Sequence, residues 1–189
     1  MGAMAVMGLP RLRVWGVSEY AMPPETVRTL ITALEGYGVA ACVGGGWAVD
    51  ALVGKQTREH LDLDVWVDAD DFEGLVAAFA DQGVDRIYPW PGDRPWNFVL
   101  HDGHSRRVDL HLYETLSDGR LHYGSLKAPF RFTRDDLSGE GEIAGISVRC
   151  ERPEFALQNH TGYELREVDR HDVAVLCERF GLQPPENFR

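Results

Sequence analysis

Three groups of residues in this chain have the types and spacing that chemistry requires. Gly44, Gly45 and Gly46 stand between a short apolar run and a helix-like one. At such a turn, backbone N–H groups unshielded by side chains approach a phosphate closely, and a helix N-terminus adds positive potential. Asp62 and Asp64 follow, in a run over residues 61–68 that alternates apolar and polar. In a strand such a pair leaves one face about 7 Å apart. Two carboxylates with substrate phosphate oxygens commonly hold Mg2+. The third group is Asp109 in "RRVDLHLYE", where Val108, Leu110 and Leu112 make an apolar face and Asp109, His111 and Tyr113 the other. If that strand lies beside the Asp62 strand, three carboxylates meet. Like charges that close raise one another's pKa and call for a cation.

Each group alone has a plainer reading. A glycine-rich turn between strand and helix is usually only a turn. This one is neither a P-loop, because Gly54-Lys55 is followed by Gln56 at the wrong spacing, nor GxGxxG. An Asp-x-Asp strand by itself reads as an exposed edge charged against aggregation. Arg58 and Lys55 fall in the loop before the Asp strand, near where β- and γ-phosphates would lie, yet loop cations are usually just solvated. His60 either orients a carboxylate or caps the loop, and His111 either faces an acceptor or packs at the surface. His101 and His104 bracket a turn without companion zinc ligands. Trp66, Trp90 and Trp96 have ring faces for stacking on a base or acceptor, although packing is the commoner fate of tryptophan.

The elements that position these groups are legible from periodicity. Pro23-Pro24 opens a helix with Val27, Leu30, Ile31 and Leu34 on one face, ended by Gly36 and Gly38. Residues 39–43 read as a buried strand, 47–53 as a helix stopped by Gly54, and 61–68 as a half-buried strand. Asp70-Asp71 caps a helix whose core face is Phe72, Leu75, Val76 and Phe79. The runs 96–101 and 106–113 flank Asp102-Gly103, a hairpin signal. Shorter strands fall near Phe130 and at 146–149, and two helices close the chain at 153–160 and 167–180. The class is α/β or α+β around one sheet.

With 189 residues, 44% hydrophobic and 26% charged, the chain has the composition of a soluble globular protein. Its apolar runs are too short to span a bilayer, and no basic-then-apolar signal opens it. The first four residues, Met-Gly-Ala-Met, are set aside as partly vector-derived. Three scattered cysteines without CxxC suit a reducing cytoplasm. A net charge of −11 argues against a nucleic acid polymer and would steer a cationic small molecule, though solubility alone explains it.

The ordered motifs Gly-Gly-Trp-Ala-Val-Asp (45–50), Thr57-Arg58-x-His60-x-Asp62-x-Asp64 and Val108-Asp109-Leu110-His111 resemble the small antibiotic nucleotidyltransferases of the DNA polymerase β superfamily. The lincosamide enzymes are nearest, with "HTGYELREVDRHDVAVLCERFG" (160–181) similar to that group in particular, and the aminoglycoside 2″-adenylyltransferases are related. The resemblance spans roughly residues 25–182. It implies a polymerase β-like fold, a small mixed sheet flanked by helices with C-terminal helices. The implied core is 23–150, with 151–182 a helical segment packed on it and 1–22 an N-terminal arm. It implies AMP transfer from ATP to a hydroxyl of a small antibiotic, with release of pyrophosphate. Gly45 and Gly46 would then lie on the triphosphate with Arg58 and Lys55 nearby, and Asp62, Asp64 and Asp109 would hold Mg2+, two ions in all. His111, Tyr163 and Glu164 would face the acceptor, with Asp109 the general base and His111 the runner-up. A homodimer stays open. Two positions depart from the pattern. Gly44 stands where relatives often carry an acidic residue. Val168 stands where the lincosamide enzymes tend to carry lysine, leaving Arg166 or Arg170 to substitute. The competing readings are an aminoglycoside acceptor, a nucleotidyltransferase toxin, and a nucleotide- or metal-binding module without turnover.

Overall fold

Helix α1 (Pro24–Gly36) begins at the Pro23-Pro24 step and buries Val27, Leu30, Ile31 and Leu34 along one face. A 13-residue helix is marginal alone, so that apolar face, pressed onto the sheet and onto α3 (Phe72–Asp81), supplies most of its stability. The computed structural model describes residues 11–12, 20–89, 97–125, 127–161 and 163–188. The stacking roles weighed for Trp90 and Trp96 fall outside the described residues.

The sheet elements are β1 (Arg11–Leu12), β2 (Cys42–Gly44), β3 (Leu63–Asp68), β4 (Arg86–Pro89), β5 (Phe98–His101) and β6 (Arg107–Thr115), then β7 (Leu121–Ser125), β8 (Ala128–Phe132), β9 (Gly139–Ile143) and β10 (Ile146–Cys150). They run in the order β1-β4-β5-β6-β3-β2-β10-β9, with β7 and β8 continuing as a ribbon from the far end of β6. Helix α2 (Gly45–Val53) follows β2 directly, and Gly54 ends it in the left-handed conformation. Helices α4 (Pro153–Gln158) and α5 (Glu167–Phe180) pack on α2 through Ala156, Leu176 and Val49. The result is a mixed α/β fold with C-terminal helices.

β3 lies between β2 and β6, antiparallel to one and parallel to the other, as the carboxylate-triad reading requires and against the plainer edge-strand one. Two expectations are corrected. β3 is not half-buried. Trp66, on the face with the aspartates, is 4% exposed and joins a second apolar cluster with Phe132, Phe155 and Tyr123. Polar residues on that face mark a covered site rather than solvent. The cap before α3 is also shifted: the Asp68 carboxylate accepts from the Asp70 N–H, and the 3-10 turn Ala69–Asp71 precedes the helix.

Strands β4, β7 and β9 were not legible. In β9, "GEGEI" carries two glycines and two glutamates and no apolar alternation. Its pairing with β10 comes from the Ala144-Gly145 turn, with φ of 47° and 79°, matching a two-residue hairpin with both central residues left-handed. Cys42 and Cys150 are buried and Cys177 is partly so. Among the described residues no helix is long and apolar enough to cross a membrane.

Candidate active site

Gly44 and Asp64 are paired residues of β2 and β3, so the glycine turn and the Asp strand meet by register. The contact is close. Gly45 has φ +57°, and a Cβ there would lie 2.2 Å from Asp64 Oδ2. Only glycine serves both demands, the left-handed backbone and the carboxylate pressed on the helix start. At Gly46 a Cβ would meet the Arg58 guanidinium at 2.2 Å and the His60 ring at 2.6 Å. The two halves of the sequence signal are one site.

The parallel register of β3 and β6 sets Asp64 opposite Asp109, on strands about 4.8 Å apart. Asp62 lies just before the first residue of β3, near enough to Asp64 for the two charges to act on each other. Their charges are not left facing one another. Arg107, two residues before Asp109, donates Nε and Nη2 to the two Asp109 oxygens at 2.9 and 3.0 Å, and its Nη1 stands 3.7 Å from Asp62 Oδ2. His111 Nε2 meets Asp64 Oδ1 at 2.9 Å, and its Nδ1 meets the Tyr123 hydroxyl at 3.1 Å. Tyr123 donates its proton to Asn97 Oδ1 at 3.0 Å, so toward His111 it accepts. The ring donates on both sides, and it stacks on Trp66 with centroids 4.6 Å apart.

Burial, then the Asp64 charge, pushes the Asp109 carboxyl up to about 7. Burial followed by Asp64 also raises Asp62. Asp64 itself is pushed up by burial, but the His111 hydrogen bond together with the charges of His111, Arg107 and His60 leaves it below the ordinary carboxylate value. Burial lowers His111, but the same bond together with the charges of Asp64, Asp109 and Glu151 more than restores it, so its pKa is raised.

Three oxygen donors near one another suit a hard divalent cation. The raised Asp62 and Asp109 carboxyls reflect burial first and the neighbouring Asp64 charge second. Among the described residues, however, no group of three acidic, histidine or cysteine side chains is already arranged to hold a metal ion. Arg107 and His111 draw the carboxylates to their own donors instead. The donor set fits in kind, and the Arg107 contact would have to open.

The other expected residues are placed unevenly. Arg58 reaches the first turn of α2 but is held bidentately by Asp172 of α5, at 2.8 and 2.6 Å. Lys55 is not brought to the glycine turn: it is exposed beyond the other end of α2, about 12 Å along the axis. His60 bonds the buried Asp50 at 2.5 Å, and Asp50 also accepts from Thr57 N and Oγ1 at 2.9 and 2.6 Å, which fixes the loop under the turn. Arg170 donates to the Phe188 carbonyl, whereas the Arg166 guanidinium, beside Asp169, lies within the electrostatic reach of Asp62. Of the two arginines weighed for a phosphate contact, Arg166 is the one that interacts electrostatically with the cluster. Tyr163 and Glu164 lie just before α5, Tyr163 partly buried and Glu164 exposed.

Glu151 was missed altogether. It is 2% exposed and accepts from Trp66 Nε1 at 2.6 Å and Asn159 Nδ2 at 2.9 Å. A Cβ on Gly44 would stand 3.0 Å from its Oε1, so Glu151 fills the space where a side chain at 44 would point. No motif could reveal it, because 107 positions separate Glu151 from Gly44. Burial, partly offset by the Trp66 bond, pushes its pKa to about 7. A raised carboxyl binds its proton more tightly in the folded state, so its contribution is present below about 4.5 and is lost as pH rises to about 7. Glu151→Gln keeps an acceptor for both donors without the charge. Melting curves should show it level with the parent at pH 4 and more stable on the order of 5 °C at pH 8. Equal melting temperatures across that range would place an ionised, well-paired Glu151 there instead.

A strand–glycine–helix turn joined to carboxylates on two neighbouring strands of a mixed sheet is the architecture of a nucleotidyltransferase. The model of the aminoglycoside-2″-adenylyltransferase family matches residues 26–176, and the chain belongs to that family of adenylyl-transferring enzymes. It is 27% identical over 147 residues to a lincosamide resistance protein of Staphylococcus haemolyticus, covering 78% of this chain and 89% of the relative. Among solved structures it is similar to the lincosamide antibiotic adenylyltransferase LnuA with lincomycin bound, at a TM-score of 0.69 and 27% identity, over 83% of this chain and 98% of that one. It also shares the fold of ANT(2″)-Ia, solved in complex with adenylyl-2″-tobramycin, at a TM-score of 0.63 and 20% identity, over 84% of this chain and 89% of that one.

Proposed function

We propose that this protein transfers AMP from ATP to a hydroxyl of a small antibiotic, with a lincosamide as the preferred acceptor. The observation that carries the chemistry is the double register that sets Asp64 against both the Gly45 helix start and Asp109. The acceptor preference is supported by the 98% coverage of the lincomycin-bound enzyme's chain. Residues 23–150 serve as the catalytic core in this reading, and 151–182 is a helical segment packed on it.

The acceptor oxygen attacks the α-phosphorus as the bond to the bridging oxygen of the β-phosphate breaks, and pyrophosphate leaves. Asp109 takes the hydroxyl proton, since a carboxylate within about 3 Å can accept it as the new P–O bond forms. Gly45 and Gly46 let the polyphosphate approach the first turn of α2, and Arg166 supplies positive charge from the start of α5. Arg58 acts by fixing that turn to Asp172. Tyr163 and Glu164, at the entry to α5, meet the acceptor. Asp62, Asp64 and Asp109 would hold Mg2+, which when bound offsets the triphosphate charge and the developing alkoxide.

Calorimetry should show ATP binding with Mg2+ or Mn2+ and at least tenfold weaker binding in EDTA, because the carboxylates repel a bare triphosphate. Equal affinity in the two buffers would remove the metal from the site. The deciding experiment is a pyrophosphate-release assay with ATP, Mg2+ and a panel of lincosamides and aminoglycosides. Lincosamide turnover with weak salt dependence is expected. The second reading, an aminoglycoside acceptor, is favoured by the family match and by the −11 net charge, which would attract a polycation. Turnover of aminoglycosides alone, falling steeply with salt, would establish it.

A further inference from the structure

We propose that Arg107 is the resident counter-cation of the carboxylate cluster, clamping Asp109 and Asp62 together when no divalent cation is bound and giving way when one enters. The proposal rests on the reading of Asp62, Asp64 and Asp109 as metal ligands. Arg107 and Asp109 are two residues apart on β6, so their side chains leave the same face of the strand. The guanidinium plane lies along the carboxylate, with one N–H on each Asp109 oxygen at 2.9 and 3.0 Å. Its remaining terminal nitrogen faces Asp62 Oδ2 at 3.7 Å, across the strand boundary. One planar cation thereby spans two of the three carboxylates, while His111 takes the third at 2.9 Å.

A solvent-exposed ion pair in this position would mean little, because such pairs are screened and cost side-chain entropy. This pair is not exposed: the Arg107 side chain is 19% accessible and that of Asp109 10%. The bidentate fork also requires arginine, since a lysine ammonium offers a point charge with no matching geometry. Each Asp109 oxygen already accepts one N–H. Although each keeps a second lone pair, a divalent cation bound there would sit beside the Arg107 positive charge and be repelled by it. Arg107 and the metal therefore compete for Asp109. The same competition explains why no ready-made metal cluster exists among the described residues although the three carboxylates lie near one another. It also lets the cluster fold before metal arrives, without three bare charges in contact.

The test is a Mn2+ titration of the nucleotide-free protein, followed by the electron paramagnetic resonance of the free ion. Parent, Arg107→Met, Arg107→Lys and Asp64→Asn are compared, with melting curves in EDTA and in Mg2+. Removing charge-assisted hydrogen bonds from the competitor should tighten Mn2+ binding by about tenfold in Arg107→Met, with Arg107→Lys between. Arg107→Met should also melt lower than the parent in EDTA and recover more than the parent when Mg2+ is added. Unchanged or weaker Mn2+ binding in Arg107→Met overturns the proposal; if that variant does not fold, unchanged binding in Arg107→Lys does so. Asp64→Asn separates the two levels. Lost Mn2+ binding there, with unchanged binding in the Arg107 variants, keeps the metal reading and rejects the clamp. Parent-like binding in Asp64→Asn rejects both.

Discussion

Asp64→Asn should lower turnover by at least about 10³, the worth of several kcal/mol of charge stabilisation at the reacting phosphate. Asp64 is the carboxylate at which every element of the site meets. It touches the Gly45 position, pairs by register with Asp109, and accepts from His111 at 2.9 Å. The amide has nearly the same shape, so the fold should survive, but His111 Nε2 loses its anion, and a modestly lower melting temperature is expected in EDTA. Asp62→Asn should match the loss of turnover without that loss of stability, because its nearest cationic group, an Arg107 nitrogen, stands at 3.7 Å rather than at hydrogen-bond distance. Steady-state assays at saturating Mg·ATP, with melting curves of each variant, read both effects. Turnover within tenfold of the parent in Asp64→Asn would show that the carboxylates have no part in the chemistry.

Asp109→Asn and His111→Gln separate the two candidate bases. Asp109→Asn should keep Mg·ATP binding within about tenfold while kcat falls by about 10² to 10⁴, the usual contribution of a positioned base. His111 is in no position to take a proton. One ring nitrogen faces the Asp64 carboxylate, and the other faces a Tyr123 hydroxyl whose proton is committed to Asn97. In the proposed reading it orients Asp64, and orienting groups of that kind are worth about 10- to 100-fold. His111→Gln should stay within that range, and single-turnover kinetics on both variants compare them directly. A dead His111→Gln beside an active Asp109→Asn would reverse the assignment.

Much of this site was legible because strand periodicity is a local property. Asp62, Asp64, Asp109 and His111 could be put on strand faces, and Gly45 at a helix start, from the two-residue and 3.6-residue periods of neighbouring apolar residues. The misreadings came from the same locality. Trp66 alternates with apolar residues as a solvent-facing position does, yet Phe132 and Phe155, from elements 66 and 89 positions later, cover it. Arg58 looked like a loop cation until Asp172, 114 residues on, held it. Lys55 looked close to the glycine turn in sequence, but a helix carries the chain away from its own start.

By itself, then, the amino-acid sequence determined the helix and strand propensities and the order of the glycine turn and the three aspartates. The tertiary structure alone decided which charges neutralise one another. Whether Asp109 faces a bare triad or the Arg107 fork depends on strand register and side-chain direction, and so does whether Glu151 fills the space beside Gly44. Coulomb and hydrogen-bond energies vary over ångströms, whereas sequence spacing fixes distance only within one turn or one strand. Pairings between elements far apart in the chain are set where the sheet closes.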